Sequence, residues 1–181
     1  MDLTEKTLHQ ETIYTGKIIK VRVDDAQLPN GKVSKREVVE HPGGVCIAAL
    51  TEQNELLFVR QFRYPYQEVV LELPAGKLEK GEDPLETGKR ELREETGSLG
   101  TGYVSLGRLY PSPGYCGEII HLYFCRVSQY GDCDPDDDEF LQVERIPLEK
   151  AVDMVLNNEI PDAKTQTAVL KTAELLKRGN L

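Results

Sequence analysis

The stretch GKLEKGEDPLETGKRELREETGS, residues 76–98, brings together turn chemistry, helix caps and carboxylates. Gly76 and Gly81 stand where a strand over residues 69–73 hands over through a tight turn, and glycine accepts the positive φ angles such turns need. A helix then begins. Asp83 is its N-cap, Pro84 is preset for the first helical position, and Glu86 completes an Asp-x-x-Glu variant of the capping box. Gly97 marks its end. Along this helix Glu91, Glu94 and Glu95 recur at i, i+3 and i+4 and project from one face. Leu85, Gly88 and Leu92 form a different stripe, suited to packing on a sheet. Crowded carboxylates repel one another unless a cation joins them, and Mg2+ is a hard cation held by a few carboxylates together with substrate phosphates. The plainer reading is a solvated acidic face on which Glu86 and Glu94 pair with Arg90 at i,i+4.

Upstream, residues 17–28 (KIIKVRVDDAQL) and 32–41 (KVSKREVVEH) are strand-like, with Pro29-Asn30-Gly31 as the turn of a hairpin. Residues 1–10 form a polar, frayed start. Two strands alone are marginal in water, so this sheet needs a surface for its apolar face at Ile19, Val21 and Val23: the rest of the chain or another copy of it. Pro42-Gly43-Gly44 divides an N-terminal β-sheet domain over residues 1–42 from a second domain over residues 43–181. There GVCIAAL and LLFVRQFR are strands around the turn at residues 51–55.

Downstream of the helix, strands over residues 103–110 and 118–127 flank the loop PSPGYCG. Residues 128–140, SQYGDCDPDDDEF, are too long for a simple hairpin and make a candidate functional loop. A strand over residues 141–146 follows, then a helix opened by Pro147 that runs to about Asn157. Asp162 caps a last helix to about Arg178, with Val169, Leu170, Ala173 and Leu176 on one face and Gly179 as its stop. The class is α+β: a mixed sheet sandwiched by helices, with an antiparallel sheet before it.

The chain has 181 residues, 29% charged and 39% hydrophobic, ordinary for a globular protein with one substantial core. A formal net charge of -9 without a basic run argues against a nucleic-acid binder. No apolar run approaches a membrane span, and the start MDLTEKTLHQ is no signal peptide, so the cytoplasm is expected. Cys46, Cys116, Cys125 and Cys133 show no C-x-x-C spacing. The first and third lie in apolar runs as inert core thiols.

Gly76, five residues, Glu82, seven residues, then Arg90-Glu91-Leu92-Arg93-Glu94-Glu95-Thr96-Gly97 resembles the signature of the Nudix hydrolases. Ser98 departs from it, standing where the family usually has an aliphatic residue that packs rather than reacts. The resemblance implies a loop-helix-loop that binds divalent metal and hydrolyses a nucleoside diphosphate linked to another group. It implies Glu91 and Glu95 as metal ligands, Glu94 as a further ligand or a partner of the ligands, Ala75 as a ligand through its carbonyl, and Arg90 with Glu82 as a structural ion pair. The Nudix members acting on ADP-ribose resemble this chain further in an N-terminal strand-rich domain, the run LELPAG and a downstream proline, here Pro113, 16 positions past Gly97.

By that resemblance Arg63 binds phosphate, a role suited to its planar fork and permanent charge. Glu118 and the Ser112-Pro113-Gly114 backbone line the ribose-phosphate end, and Arg36 and Glu37 reach in from a partner subunit whose N-terminal sheet is exchanged. In the acidic loop Glu139 completes the metal cluster and Asp137 handles proton transfer, or the two exchange these roles, forming the catalytic set with Glu94; the plainer reading is a solvated acidic loop. The resemblance therefore implies a homodimeric, Mg2+-dependent hydrolase of ADP-ribose, with Mn2+ as a substitute. A Nudix hydrolase of a dinucleoside polyphosphate, NADH or a nucleotide sugar is an alternative, as is a non-catalytic ADP-ribose-binding domain.

Overall fold

The structure, a computed structural model, describes residues 2–134 and 140–181. By internal contacts the chain divides into two compact units, Met1–Gly43 with Tyr110–Ile119, and Gly44–Leu109 with Ile120–Leu181. The first holds an antiparallel sheet in the order β1 (Lys6–Thr15), β2 (Lys20–Gln27), β3 (Val33–Glu40). Strand β1 corrects the expectation of a frayed start. Its residues are all exposed, and what makes them a strand is backbone pairing with β2 from Lys6↔Gln27 to Thr15↔Lys20, which needs no apolar pattern.

The hairpin from β2 to β3 turns at Asn30-Gly31, where Gly31 adopts φ 81°. Its buried positions on β2 are Asp24 and Ala26. That parity corrects the apolar face expected at Ile19, Val21 and Val23: Ile19 precedes the strand, and Val21 and Val23 point to the opposite side. The PSPGYCG segment belongs to this unit. The Val39 N–H donates to the Tyr115 carbonyl at 2.8 Å, and the Gly117 N–H donates to the Val39 carbonyl at 2.9 Å.

The second unit is built on strands β4 (Gly44–Leu50), β5 (Glu55–Arg63), β6 (Glu68–Glu72), β7 (Ala75–Lys77), β8 (Ser98–Leu109), β9 (Ile120–Tyr130) and β10 (Leu141–Pro147). Their order is β10-β5-β4-β9-β8, with β6 on β5 and β7 on β4. The β4–β9 pair is parallel and the others antiparallel, hence a mixed sheet. Strand β4 is buried on both sides, which explains its continuous apolar run. Val45, Ile47 and Ala49 pack with Leu57 and with Leu92 of α1 (Pro84–Thr96). Cys46, Ala48 and Leu50 pack with Phe58 and with α2 (Leu148–Leu156) and α3 (Ala163–Lys177) through Ala151, Val155, Ala168 and Val169. The sheet is thus covered on both faces by helices, and each large side chain so buried contributes about 2 kcal/mol.

Helix α3 is rotated from its expected phase. Thr165, Ala168, Val169 and Thr172 are buried, while Leu170 is 38% exposed. A polar residue can occupy the inner face here because the Thr165 hydroxyl is satisfied: it donates to Asp162 at 2.6 Å and accepts the Leu73 N–H at 2.9 Å. Among the described residues no helix is long and apolar enough to cross a membrane.

Candidate active site

Helix α1 starts at the expected cap: Asp83 Oδ1 accepts the N–H groups of Leu85 at 2.9 Å and Glu86 at 3.3 Å. The reciprocal half of the capping box is replaced, because Glu86 reaches Lys89 at 2.7 Å instead. At the far end Gly97 takes φ 66° and its N–H donates to the Arg93 carbonyl at 2.8 Å. Ser98 is buried at the start of β8, its N–H on the Thr96 hydroxyl at 3.2 Å. Gly81 has the positive φ expected of it, 83°, but Gly76 does not. Gly76 lies in β7 opposite Val45, and its need for glycine is spatial: a Cβ there would overlap the carboxyl group of Glu91. Gly88 is needed likewise, since its Cβ would fall 2.5 Å from Ile47 Cδ1.

The carboxylates of α1 are arranged around Arg90 and the β7 backbone. Arg90 contacts Glu94 at 2.7 Å, Glu91 at 3.0 Å and Glu82 at 3.3 Å. Burial alone lowers the guanidinium's pKa, but these three carboxylates outweigh it and hold Arg90 above its ordinary value. Arg90 in turn holds the Glu82 carboxyl below its own. Glu95 is 2% exposed and accepts the Ala75 N–H at 3.0 Å. The segment around Ala75 is pinned from two further sides, by the Ile47 N–H on the Pro74 carbonyl at 2.9 Å and by Thr165 on Leu73. Helix, sheet and α3 together set the placement of Ala75 and Gly76.

Among the described residues no three His, Cys, Asp or Glu side chains are already gathered as a metal cage. The donor chemistry nevertheless fits a hard divalent cation: Glu91, Glu94, Glu95 and the Ala75 carbonyl offer oxygen only. Arg90 is shared among Glu82, Glu91 and Glu94, and Arg93 also reaches Glu94 at 3.6 Å.

Arg63, at the end of β5, makes two bonds of 2.6 Å to Glu72. Glu72 is 2% exposed and is also bonded by Lys164, which contacts Asp162 at 3.0 Å. Sequence reasoning missed Glu72, Lys164 and Asp162 as companions of Arg63. The available signal was an acid inside the apolar run VVLELP, which has to find a buried partner.

In the other unit Arg36, Glu37, Pro113 and Gly114 line one cavity of about 280 Å3 with Glu5, Asp24 and Tyr115. Arg36 is held there by Glu5 through bonds of 2.6 and 2.8 Å, a partner the sequence did not suggest. The Ser112 carbonyl accepts the Cys116 N–H at 2.9 Å, and Glu118 lies 3.4 Å from His41 Nδ1. Cys46 and Cys125 are fully buried, and burial pushes the Cys125 thiol up to about 12. Asp137 and Glu139 lie outside the described residues. The loop leading to them is tied to α1, since the Asp134 N–H donates to the Glu94 carbonyl at 2.8 Å.

The mixed sheet between helices therefore carries one helix whose glutamate is seated against a strand glycine. The chain belongs to the Nudix family: residues 40–168 match the NUDIX domain, and residues 5–39 match the nucleoside diphosphate sugar hydrolase N-terminal domain. It is similar to the ADP-ribose pyrophosphatase of Bacillus subtilis (strain 168), 43% identical over 169 residues that cover 92% of this chain and 91% of that protein. It is equally similar to the methanol dehydrogenase activator of Bacillus methanolicus, 43% identical over 177 residues and 96% of each chain. A crystal structure described as an ADP compounds hydrolase superposes with a TM-score of 0.84 at 22% identity, covering 100% of both chains, which establishes the shared fold.

Proposed function

We propose that this protein hydrolyses the diphosphate of ADP-ribose to AMP and ribose 5-phosphate, with Mg2+ as its metal and Mn2+ as a substitute. The observation that carries the reading is the seating of Glu91 and Glu95 against the adjacent residues Gly76 and Ala75, which sets two carboxylates of one helix beside one short stretch of strand. The substrate is supported by the near full-length similarity to an ADP-ribose pyrophosphatase.

In this reading Glu91, Glu95, Glu139 and the Ala75 carbonyl hold the metal, with Glu94 beside them. Bound there, a divalent cation neutralises charge developing on the diphosphate. Arg63 holds a phosphate. Asp137 and Glu139 position and deprotonate the attacking water, whose oxygen bonds to one phosphorus as the P–O–P bridge breaks and leaves with the other phosphate. Arg36, Glu37, Ser112, Pro113, Gly114 and Glu118 bind the nucleoside and ribose ends. The protein acts as a cytoplasmic homodimer in which the N-terminal sheet of residues 1–42 is exchanged. Its four free cysteines suit a reducing compartment.

The test is release of the nucleotide product of each substrate from a panel of ADP-ribose, NADH, a dinucleoside polyphosphate and a nucleotide sugar, each with Mg2+. ADP-ribose is expected to give the highest kcat/KM. A higher value for another member of the panel would replace it as the substrate.

A further inference from the structure

Glu72 is a carboxylate with almost no access to water, and two cations serve it. Arg63 takes both of its oxygens through Nε and Nη2 at 2.6 Å each, and Lys164 bonds Oε2 from the first turn of α3. Burial raises the Glu72 carboxyl, but Arg63 and Lys164 more than reverse this and leave it below its ordinary value. Charge balance needs only one of these cations. The second comes with its own counter-ion, Asp162, at 3.0 Å. A buried ion pair of this kind adds little stability over well-packed apolar residues, so its use lies in fixing geometry.

What it fixes is Arg63. That side chain is 37% exposed although its carboxylate partner is buried. With Nε and one hydrogen of Nη2 committed to Glu72, Nη1 and the second Nη2 hydrogen form a free edge; no described residue accepts a hydrogen bond from Nη1. Such an edge matches two oxygens of a phosphate, and a guanidinium clamped on its far side binds without first losing rotamer freedom. The same turn of α3 also holds the strand into Ala75 and Gly76, through Thr165 on the Leu73 N–H.

We propose that Lys164 is a positioning residue for substrate binding: through Glu72 it holds Arg63 as a preorganised edge for the substrate diphosphate. This rests on the phosphate-bearing substrate proposed above. The experiment compares wild type, Lys164→Gln, Lys164→Arg, Arg63→Ala and the Lys164→Gln/Arg63→Ala double variant. KM and kcat for ADP-ribose are measured with Mg2+, and the Kd of ADP-ribose is measured by calorimetry in EDTA, where binding is read without turnover.

Lys164→Gln is expected to raise KM and Kd about tenfold, the scale of one charge-assisted hydrogen bond, with kcat within about threefold. Lys164→Arg should restore them, and Lys164→Gln should add nothing once Arg63 is alanine. Unchanged KM and Kd in Lys164→Gln, or an equal rise in the Arg63→Ala background, would overturn the proposal whatever the change in Tm. Should Lys164→Gln fail to fold, the isosteric Glu72→Gln variant is expected to show the same rise, and wild-type affinity there would also overturn it. Wild-type protein that binds ADP-ribose without hydrolysing it would remove the proposed function alone, leaving the Kd comparison to decide on Lys164. Absence of binding would remove both.

Discussion

Replacing Gly76 by alanine perturbs the candidate site through a single methyl group. The added Cβ would overlap the Cδ and both oxygens of Glu91, and restoring ordinary contact requires the carboxyl group to retreat by about 1 Å or more. Glu91 has little room for this, being 8% exposed and in contact with Arg90 at 3.0 Å on its own helix. Displacements near 1 Å in a positioned catalytic group cost roughly 100-fold in rate, or about 2.7 kcal/mol of transition-state stabilisation. Overpacking adds about 1–3 kcal/mol of lost stability. Gly76→Ala is therefore expected to fold, with a lowered Tm, and to turn over ADP-ribose about 100-fold more slowly at saturating metal while needing more Mg2+ for half-maximal activity. The assay is AMP release across a Mg2+ titration, with circular dichroism as the check on folding. A variant with wild-type kcat and an unchanged Mg2+ midpoint would refute the inference that glycine is there to seat Glu91.

Four further outcomes are expected. Glu95→Gln keeps an acceptor for the Ala75 N–H and should retain the fold while losing activity; full turnover by wild type in excess EDTA would contradict the metal requirement behind this. Glu139→Gln or Asp137→Asn should lower kcat by roughly 100-fold with a smaller change in KM, and near-normal kcat in both would place the base elsewhere. Light scattering should report a dimer at assay concentrations; a fully active monomer would remove the partner roles of Arg36 and Glu37. For Glu72, whose folded pKa lies below the ordinary 4.5, the stabilisation is present above the unfolded value and is lost as pH falls through the folded one. Glu72→Gln should therefore cost about 3 kcal/mol near neutrality and flatten the acid limb of urea stability, whereas parallel limbs for the two proteins would exclude the linkage.

The helix of residues 84–96 was legible because everything that specifies it is local: Asp83, Pro84 and Gly97 act on backbone groups within a turn of themselves. The apolar run of β4 likewise announced a strand, and the fold covers that strand on both faces. Elsewhere the deciding partner was distant in sequence. The polar residues of β1 became a strand only by pairing with β2, and no residue in KTLHQETIYT declares that partner. Gly76 looked like a turn glycine, and only the folded chain, which brings Glu91 against it, gives the other reason. The phase of α3 was misjudged because Thr165 turns inward to meet Leu73, 92 residues away, displacing Leu170 from the buried face. Arg63 has the same dependence: its guanidinium is a cation in any fold, but its orientation follows from Glu72 on β6 and Lys164 on α3. By itself the sequence determined the caps, the helix, the β4 core strand and the carboxylate spacing, since these depend on contacts within one element. Which residues face one another was decided by the tertiary structure, because a buried charge or a close backbone approach is satisfied by whatever the fold carries next to it.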